Sequence, residues 1–172
     1  MEMTLQDRLE QLLQAYSHYY DISRDVTVDG GSFPATAFFH AREESYLTTK
    51  SLTFAASEQH EYAYFYVADH LDVKTLQEQI ELSKNAGLER IVPGGSHMCS
   101  YVTLVILANT IDPEAKEMIK KYRFRKNYRL ALHGWMEYHI AAIECSTMGV
   151  LSNPAGKDAR KTLEQNFCSR AK

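Results

Sequence analysis

Residues 101–108, Tyr-Val-Thr-Leu-Val-Ile-Leu-Ala, form an almost unbroken run of apolar and β-branched side chains. A strand with one wet face alternates apolar and polar residues, whereas a run without alternation suits a strand covered on both faces. This feature constrains the fold most: the strand must lie centrally in a sheet that has helices packed against it. The rest of the chain supplies them. Leu5, Leu9, Leu12, Leu13, Tyr16 and Tyr20 recur at helical spacing behind Thr4, a capping residue, which predicts an amphipathic helix over 5–20. From Val26 onward the pattern becomes that of an antiparallel meander: "VTVDGGSF" with a Gly-Gly turn, "ATAFFHARE" and "SYLTTKSLTF", with "HEYAYFYVAD" as a further strand. In that last strand Tyr62, Tyr64 and Tyr66 share one face while Ala63, Phe65 and Val67 share the other, so both faces are expected to be at least partly covered.

Asp72 is placed to cap a second helix that turns Val73, Leu76, Ile80 and Ser83 to one side and stops at Gly87. After the central strand, Asp112, Pro113 and Glu114 open a third helix, "DPEAKEMIKKY". Strands "YRLALH", "MEYHIAAIEC" and "GVLS" follow, then a turn at Asn153-Pro154 and a short terminal helix, "KDARKTLEQNF", beyond which the last residues fray. "IVPGGSHMCS", 91–100, has some likeness to a cleavage-tag remnant, but it is turn-rich and sits where a helix must be joined to a strand, so it reads as native loop. The expectation is an α+β (mixed α/β) fold in one domain spanning 1–172. It has an N-terminal helix, an antiparallel meander, then β-α-β-β-β on one mixed sheet flanked by helices.

Composition enters as a set of exclusions. The 172 residues carry a net charge of −3, which argues against a generally basic nucleic-acid or membrane binder, and no long apolar run marks a membrane span. Cys99, Cys145 and Cys168 are odd in number and form no CxxC, so neither a disulfide framework nor a thiolate zinc site is suggested and a reducing, cytoplasmic setting is expected. The acids and glutamines near the N-terminus do not resemble a signal peptide. Seven histidines show neither HxH nor HExxH spacing, and no GxSxG elbow or phosphate-binding loop occurs, so no metal and no cofactor is expected.

The strongest local signal is "KKYRFRKNYR", where Lys120, Lys121, Arg123, Arg125, Lys126 and Arg129 interleave with Tyr122, Phe124 and Tyr128. Cations that neutralise phosphates beside rings that stack on bases would suit nucleic acid. The plainer reading, and the preferred one, is a helix C-terminus rich in cations followed by an edge strand with charge outward and rings inward. His97 and Cys99 on the Gly-rich loop are a second candidate, as a nucleophile pair or two ligands awaiting a third. Arg42, Glu43 and Glu44 read as a charged hairpin tip. Glu144 follows the apolar "IAAI" and, if buried, needs a partner such as Lys50 or Arg129, although an exposed strand end is preferred. Trp135 reads as a hairpin or core anchor.

Two resemblances follow from these segments. "LQDRLEQLLQAYSHYYDI", "HARE", "YLTTK" and "HGWMEYHIAAIE" resemble an uncharacterised family of bacterial proteins of this length, which implies no activity. The element order, with "VTLVILANTIDPEAKEMIKKY", resembles the strand-turn-helix that follows the active strands of the PD-(D/E)xK nuclease-like superfamily. That superfamily holds a divalent metal with an Asp on its second core strand and Glu-x-Lys or Asp-x-Lys on its third. Here Pro34 and Ala35 stand at the first position and Thr48 precedes Lys50 at the second, so the resemblance implies a degenerate binding module without the metal site. The functional expectation is a non-enzymatic binding or interaction protein, self-associating through its tyrosine-rich strands and exposed sheet edges. The alternatives are a nucleic-acid-binding module and a small-molecule enzyme built on His97 and Cys99.

Overall fold

The computed structural model describes residues 2–43, 57–94 and 97–168. Helix α1 (Leu5–Tyr16) starts where the sequence places it, because Thr4 and Asp7 form a capping box: the Thr4 hydroxyl accepts from the Asp7 N–H at 3.1 Å and the Asp7 carboxylate accepts from the Thr4 N–H at 2.9 Å. It ends earlier than expected, since the Ser17 hydroxyl donates to the Gln14 carbonyl and the chain folds back to set the Tyr20 ring 4.9 Å from that of Tyr16. Strands β1 (Asp21–Val28), β2 (Gly31–Glu43) and β3 (Ser57–Leu71) form the antiparallel meander. The first hairpin turns on Asp29 and Gly30 rather than on two glycines. Gly30 takes φ 89° and Gly31 already pairs with Val28. The expected strand 45–54, with Glu44, Thr48 and Lys50, lies outside the described residues.

Asp72 caps helix α2 (Val73–Arg90), accepting from the Thr75 N–H at 2.7 Å. The helix does not stop at Gly87. Gly87 is buried against Val102, where a Cβ would lie 2.4 Å from the valine Cγ2, so glycine serves close helix-to-sheet packing and not a cap. Strand β4 (His97–Ile111) runs parallel to β3 and begins earlier than expected, because His97, Cys99 and Ser100 already pair with Glu58, Gln59 and His60. Helix α3 (Pro113–Lys121) follows. Asp112 precedes it without a side-chain cap, its carboxylate meeting His70 Nε2 at 3.0 Å instead. Strands β5 (Arg125–Asn127), β6 (Trp135–Glu144) and β7 (Gly149–Ser152), a 3-10 turn at Pro154–Gly156 and helix α4 (Lys157–Phe167) complete the chain.

The sheet order is β1-β2-β3-β4-β6-β5, with β7 also on β6. β4 is therefore central, as its composition demands. Its even residues Val102, Leu104, Ile106 and Ala108 join the core under α2 and α3, while Val105 and Leu107 join the core under α1 and α4. The tyrosine stripe divides as the alternation predicts, Tyr62, Tyr64 and Tyr66 on the α2 side, where Tyr64 is buried. Tyr62 and Tyr66 are half-buried and pack against that core. Among the described residues, no helix is long and apolar enough to cross a membrane.

Two buried polar side chains tie the second half together. Asn153 uses its whole amide: Oδ1 accepts from the N–H groups of Ile140 and Gly156, both at 2.9 Å, and Nδ2 donates to the carbonyls of Tyr138 at 3.0 Å and Tyr122 at 3.2 Å. Glu144 is buried at the end of β6 and not exposed, correcting the expectation. Its carboxylate accepts from the Ile111 N–H at 2.9 Å, Lys116 Nζ at 2.7 Å and Thr147 Oγ1 at 2.8 Å. Among the described residues its cationic partner is Lys116, which α3 brings over the strand end, and not Arg129; Lys50 lies outside the described residues. These contacts hold its carboxyl below the ordinary range despite the opposing effect of burial.

Candidate functional site

The basic segment leaves the C-terminus of α3 and runs along the sheet edge. Lys120 and Lys121 lie in the last helical turn, where the dipole favours cations, and both approach Glu117, at 3.2 and 3.8 Å. The backbone then extends. The Tyr122 ring packs edge-on against buried Tyr138, centroids 5.4 Å apart, and Phe124 lies under Lys84 Nζ at 4.8 Å. Tyr122, Phe124 and Tyr128 all pack on the α2/α3 core, whereas Arg123, Arg125, Lys126 and Arg129 are exposed. The rings are thus committed to holding the segment down, and the outward surface is cationic. Arg125 pairs across the ladder with Glu137, stacks its guanidinium 4.9 Å above the Trp135 ring and donates from Nε to Asn127 Oδ1. That stacking explains Trp135 as the hairpin anchor.

The expected strand "YRLALH" is a turn. Arg129, Leu130 and Ala131 have φ of 45°, 54° and 71°, three consecutive left-handed residues none of which is glycine. Each such residue costs an L-amino acid roughly 1–2 kcal/mol. Backbone bonds close the turn, from the Tyr128 N–H to the Gly134 carbonyl at 2.9 Å and from the His133 N–H to the Tyr128 carbonyl at 3.1 Å. Its tip exposes two leucines, Leu130 at 94% and Leu132 at 79% of their possible surface. Between residues 120 and 133 the sequence places six of its 19 cationic side chains and none of its 22 acids. Composition alone did not reveal the leucine tip, since "YRLALH" alternates like a strand.

His97 and Cys99 do not form a loop site. Both stand in β4, drawn into the parallel ladder with β3, and Cys99 is 5% exposed. A buried thiol on a strand is poorly placed to attack a substrate. Among the described residues no group of three His, Cys, Asp or Glu side chains is placed to hold a metal ion. Where nuclease-like chemistry would want a carboxylate, Ala35 is wholly buried in β2.

The structure gathers one polar cluster that was not anticipated. Glu61 lies on the same face of β3 as Ala63 and Phe65. It accepts from the Tyr20 phenol at 2.5 Å and the Thr103 hydroxyl at 2.9 Å. Burial and the nearby carboxylate push the Tyr20 phenol far up, so it remains a donor. On β4 and β6, Tyr101 stacks on His139 at 4.7 Å, and His139 Nε2 is 3.2 Å from Glu137. A cavity of about 270 Å³ opens between the end of α1 and α4, with Glu61, Tyr19, Tyr20 and Asp158 in its lining. A carboxylate on the apolar face of an alternating strand was the signal, readable from "HEYAYF" once Ala63 and Phe65 are assigned inward.

A family model described as a domain of unknown function, DUF8052, matches residues 4–165. The chain belongs to the DUF8052 family. The match runs from the α1 cap nearly to the end of α4, so the strained turn and the Glu61 cluster both lie within the DUF8052 domain. No curated protein and no solved structure matches the chain.

Proposed function

We propose that this DUF8052 domain is a non-enzymatic binding module whose working surface is the cationic edge formed by the end of α3, β5 and the turn 128–134, and that it engages a polyanionic surface. One observation carries the reading: along residues 120–133 the half-buried rings pack against the core while Arg123, Arg125, Lys126 and Arg129 are exposed, in a segment that contains no acid of its own. Glu117 beside Lys120 and Lys121 and Glu137 opposite Arg125 offset part of this charge, and the six cations still leave a local positive excess on one edge of a chain whose net charge is −3, which attracts anionic surfaces irrespective of the overall balance. The buried Cys99 favours a binding role over nucleophilic chemistry. The inward rings favour charge recognition over base stacking. The test is retention on immobilised heparin at low salt, comparing the native chain with Arg123→Glu/Arg125→Glu. Binding that falls steeply with salt and is lost in the variant supports the reading. Failure of the native chain to bind at low ionic strength refutes it.

A further inference from the structure

We infer that the polyanionic surface is a lipid bilayer with anionic headgroups, entered by the Leu130–Leu132 tip; the inference rests on the cationic-edge reading above. The tip presents two leucines to solvent, and the acyl boundary of a bilayer can take them up without a matching pocket. These leucines are 94% and 79% exposed, and Lys120, Lys121, Arg123, Arg125, Lys126 and Arg129 all precede them in sequence, Arg129 directly. Apolar side chains that enter the acyl boundary, beside cations able to remain among the headgroups, are the arrangement by which peripheral proteins hold an anionic interface. The left-handed turn at residues 129–131 is closed by its own backbone hydrogen bonds, so the leucines are presented without any ordering upon binding. Single-stranded nucleic acid would instead use outward rings, and those of Tyr122, Phe124 and Tyr128 are packed on the core. The sequence expectation of no membrane partner rested on overall charge and the lack of a span, neither of which weighs against a local, peripheral contact.

The experiment is co-sedimentation with vesicles of phosphatidylcholine alone and of phosphatidylcholine containing phosphatidylglycerol. It compares the native chain, Leu130→Asn/Leu132→Ser and Arg123→Glu/Arg125→Glu, with heparin retention and oligonucleotide binding measured in parallel. Asn tolerates the left-handed conformation and both leucines lie outside the core, so the first variant keeps the fold. The expected result is binding to anionic vesicles only. The leucine variant should partition at least about tenfold more weakly while keeping its heparin retention, and each reversed arginine should weaken binding by about fivefold or more. Heparin retention without vesicle binding, equal vesicle binding by the leucine variant, or tighter binding to a single-stranded oligonucleotide than to anionic vesicles overturns the lipid assignment and leaves the cationic-edge reading standing. Loss of both heparin and vesicle binding in the native chain sinks the edge reading itself.

Discussion

Substituting Asn153 by Asp tests whether one side chain holds the candidate edge in place. The change is isosteric and keeps the acceptor that serves the N–H groups of Ile140 and Gly156, but it removes the two protons given to the carbonyls of Tyr138 and Tyr122 at 3.0 and 3.2 Å. The orientation of the amide is fixed by these partners, since only its nitrogen can serve two carbonyls. Each lost bond removes about 1 kcal/mol, and leaving buried acceptors unpaired costs about 1–3 kcal/mol more, so a loss of about 3–5 kcal/mol is expected at neutral pH. For a domain of this size that lowers Tm by about 10 °C. Burial and two facing carbonyls raise the folded-state pKa of the introduced carboxyl. The penalty is therefore smallest below the ordinary carboxylate range and grows as pH rises through and above it, because the protonated form can donate to one carbonyl. Urea unfolding followed by the fluorescence of Trp135, the only tryptophan, measures this at pH 4 and pH 7. A deficit below about 1 kcal/mol at pH 7, or a deficit that is larger at pH 4, would refute the reasoning.

Three further outcomes follow from the packing. Glu144→Ala leaves the Ile111 N–H and the Lys116 ammonium without their acceptor and should cost about 2–3 kcal/mol by urea denaturation at pH 7. Because the folded carboxyl is held below its ordinary range, the native chain draws this stabilisation above the unfolded-state carboxylate range and loses it as pH falls through the folded-state value; the variant's stability should fall less over the same acid titration. Gly87→Ala drives a Cβ to 2.4 Å from Val102 Cγ2 and should destabilise by about 1–3 kcal/mol, with Val102→Ala relieving part of that loss in the double mutant measured against both singles. Ala131→Gly, at an exposed position with φ 71°, should raise stability by about 0.5–1 kcal/mol, and an unchanged or lower Tm would show that the left-handed turn carries no strain.

The layers of the fold were legible because they rest on periodicity. The unbroken run at 101–108 and the Tyr/Ala alternation at 62–67 each encode burial directly, and the structure places them as the central strand and its neighbour. Boundaries were less legible where one residue type serves two purposes. Glycine ends helices, yet Gly87 is glycine because Val102 leaves no room for a side chain. "YRLALH" alternates like a strand, yet its backbone closes on itself through Tyr128 and Gly134. Partner choice was least legible. Glu144 meets Lys116 only because α3 crosses the end of β6, and Glu61 meets Tyr20 only because the chain folds back after α1. Neither contact follows from sequence spacing, since the partners are 28 and 41 positions apart.

The cations of residues 120–126 have a structural use that needs no partner: an edge strand protects itself from pairing by carrying charge. β5 is such an edge, three residues long and exposed throughout. Edge protection accounts for Arg125 and Lys126, but it does not account for the turn that follows. A link from β5 to β6 could have been made with a glycine or asparagine at the left-handed positions and with polar residues at its tip. Instead the chain holds Arg129, Leu130 and Ala131 in a conformation unfavourable to each and leaves Leu130 and Leu132 in water. Both the backbone strain and the apolar exposure oppose stability, so the turn is the one place in this edge where folding alone gives no reason for the sequence. The charges carry the reading of the edge as a binding surface and the leucines carry its assignment to a membrane, so the arginine reversal separates a binding edge from a merely protected one, and the leucine substitution, with heparin retention preserved, separates entry into a bilayer from attraction by charge alone.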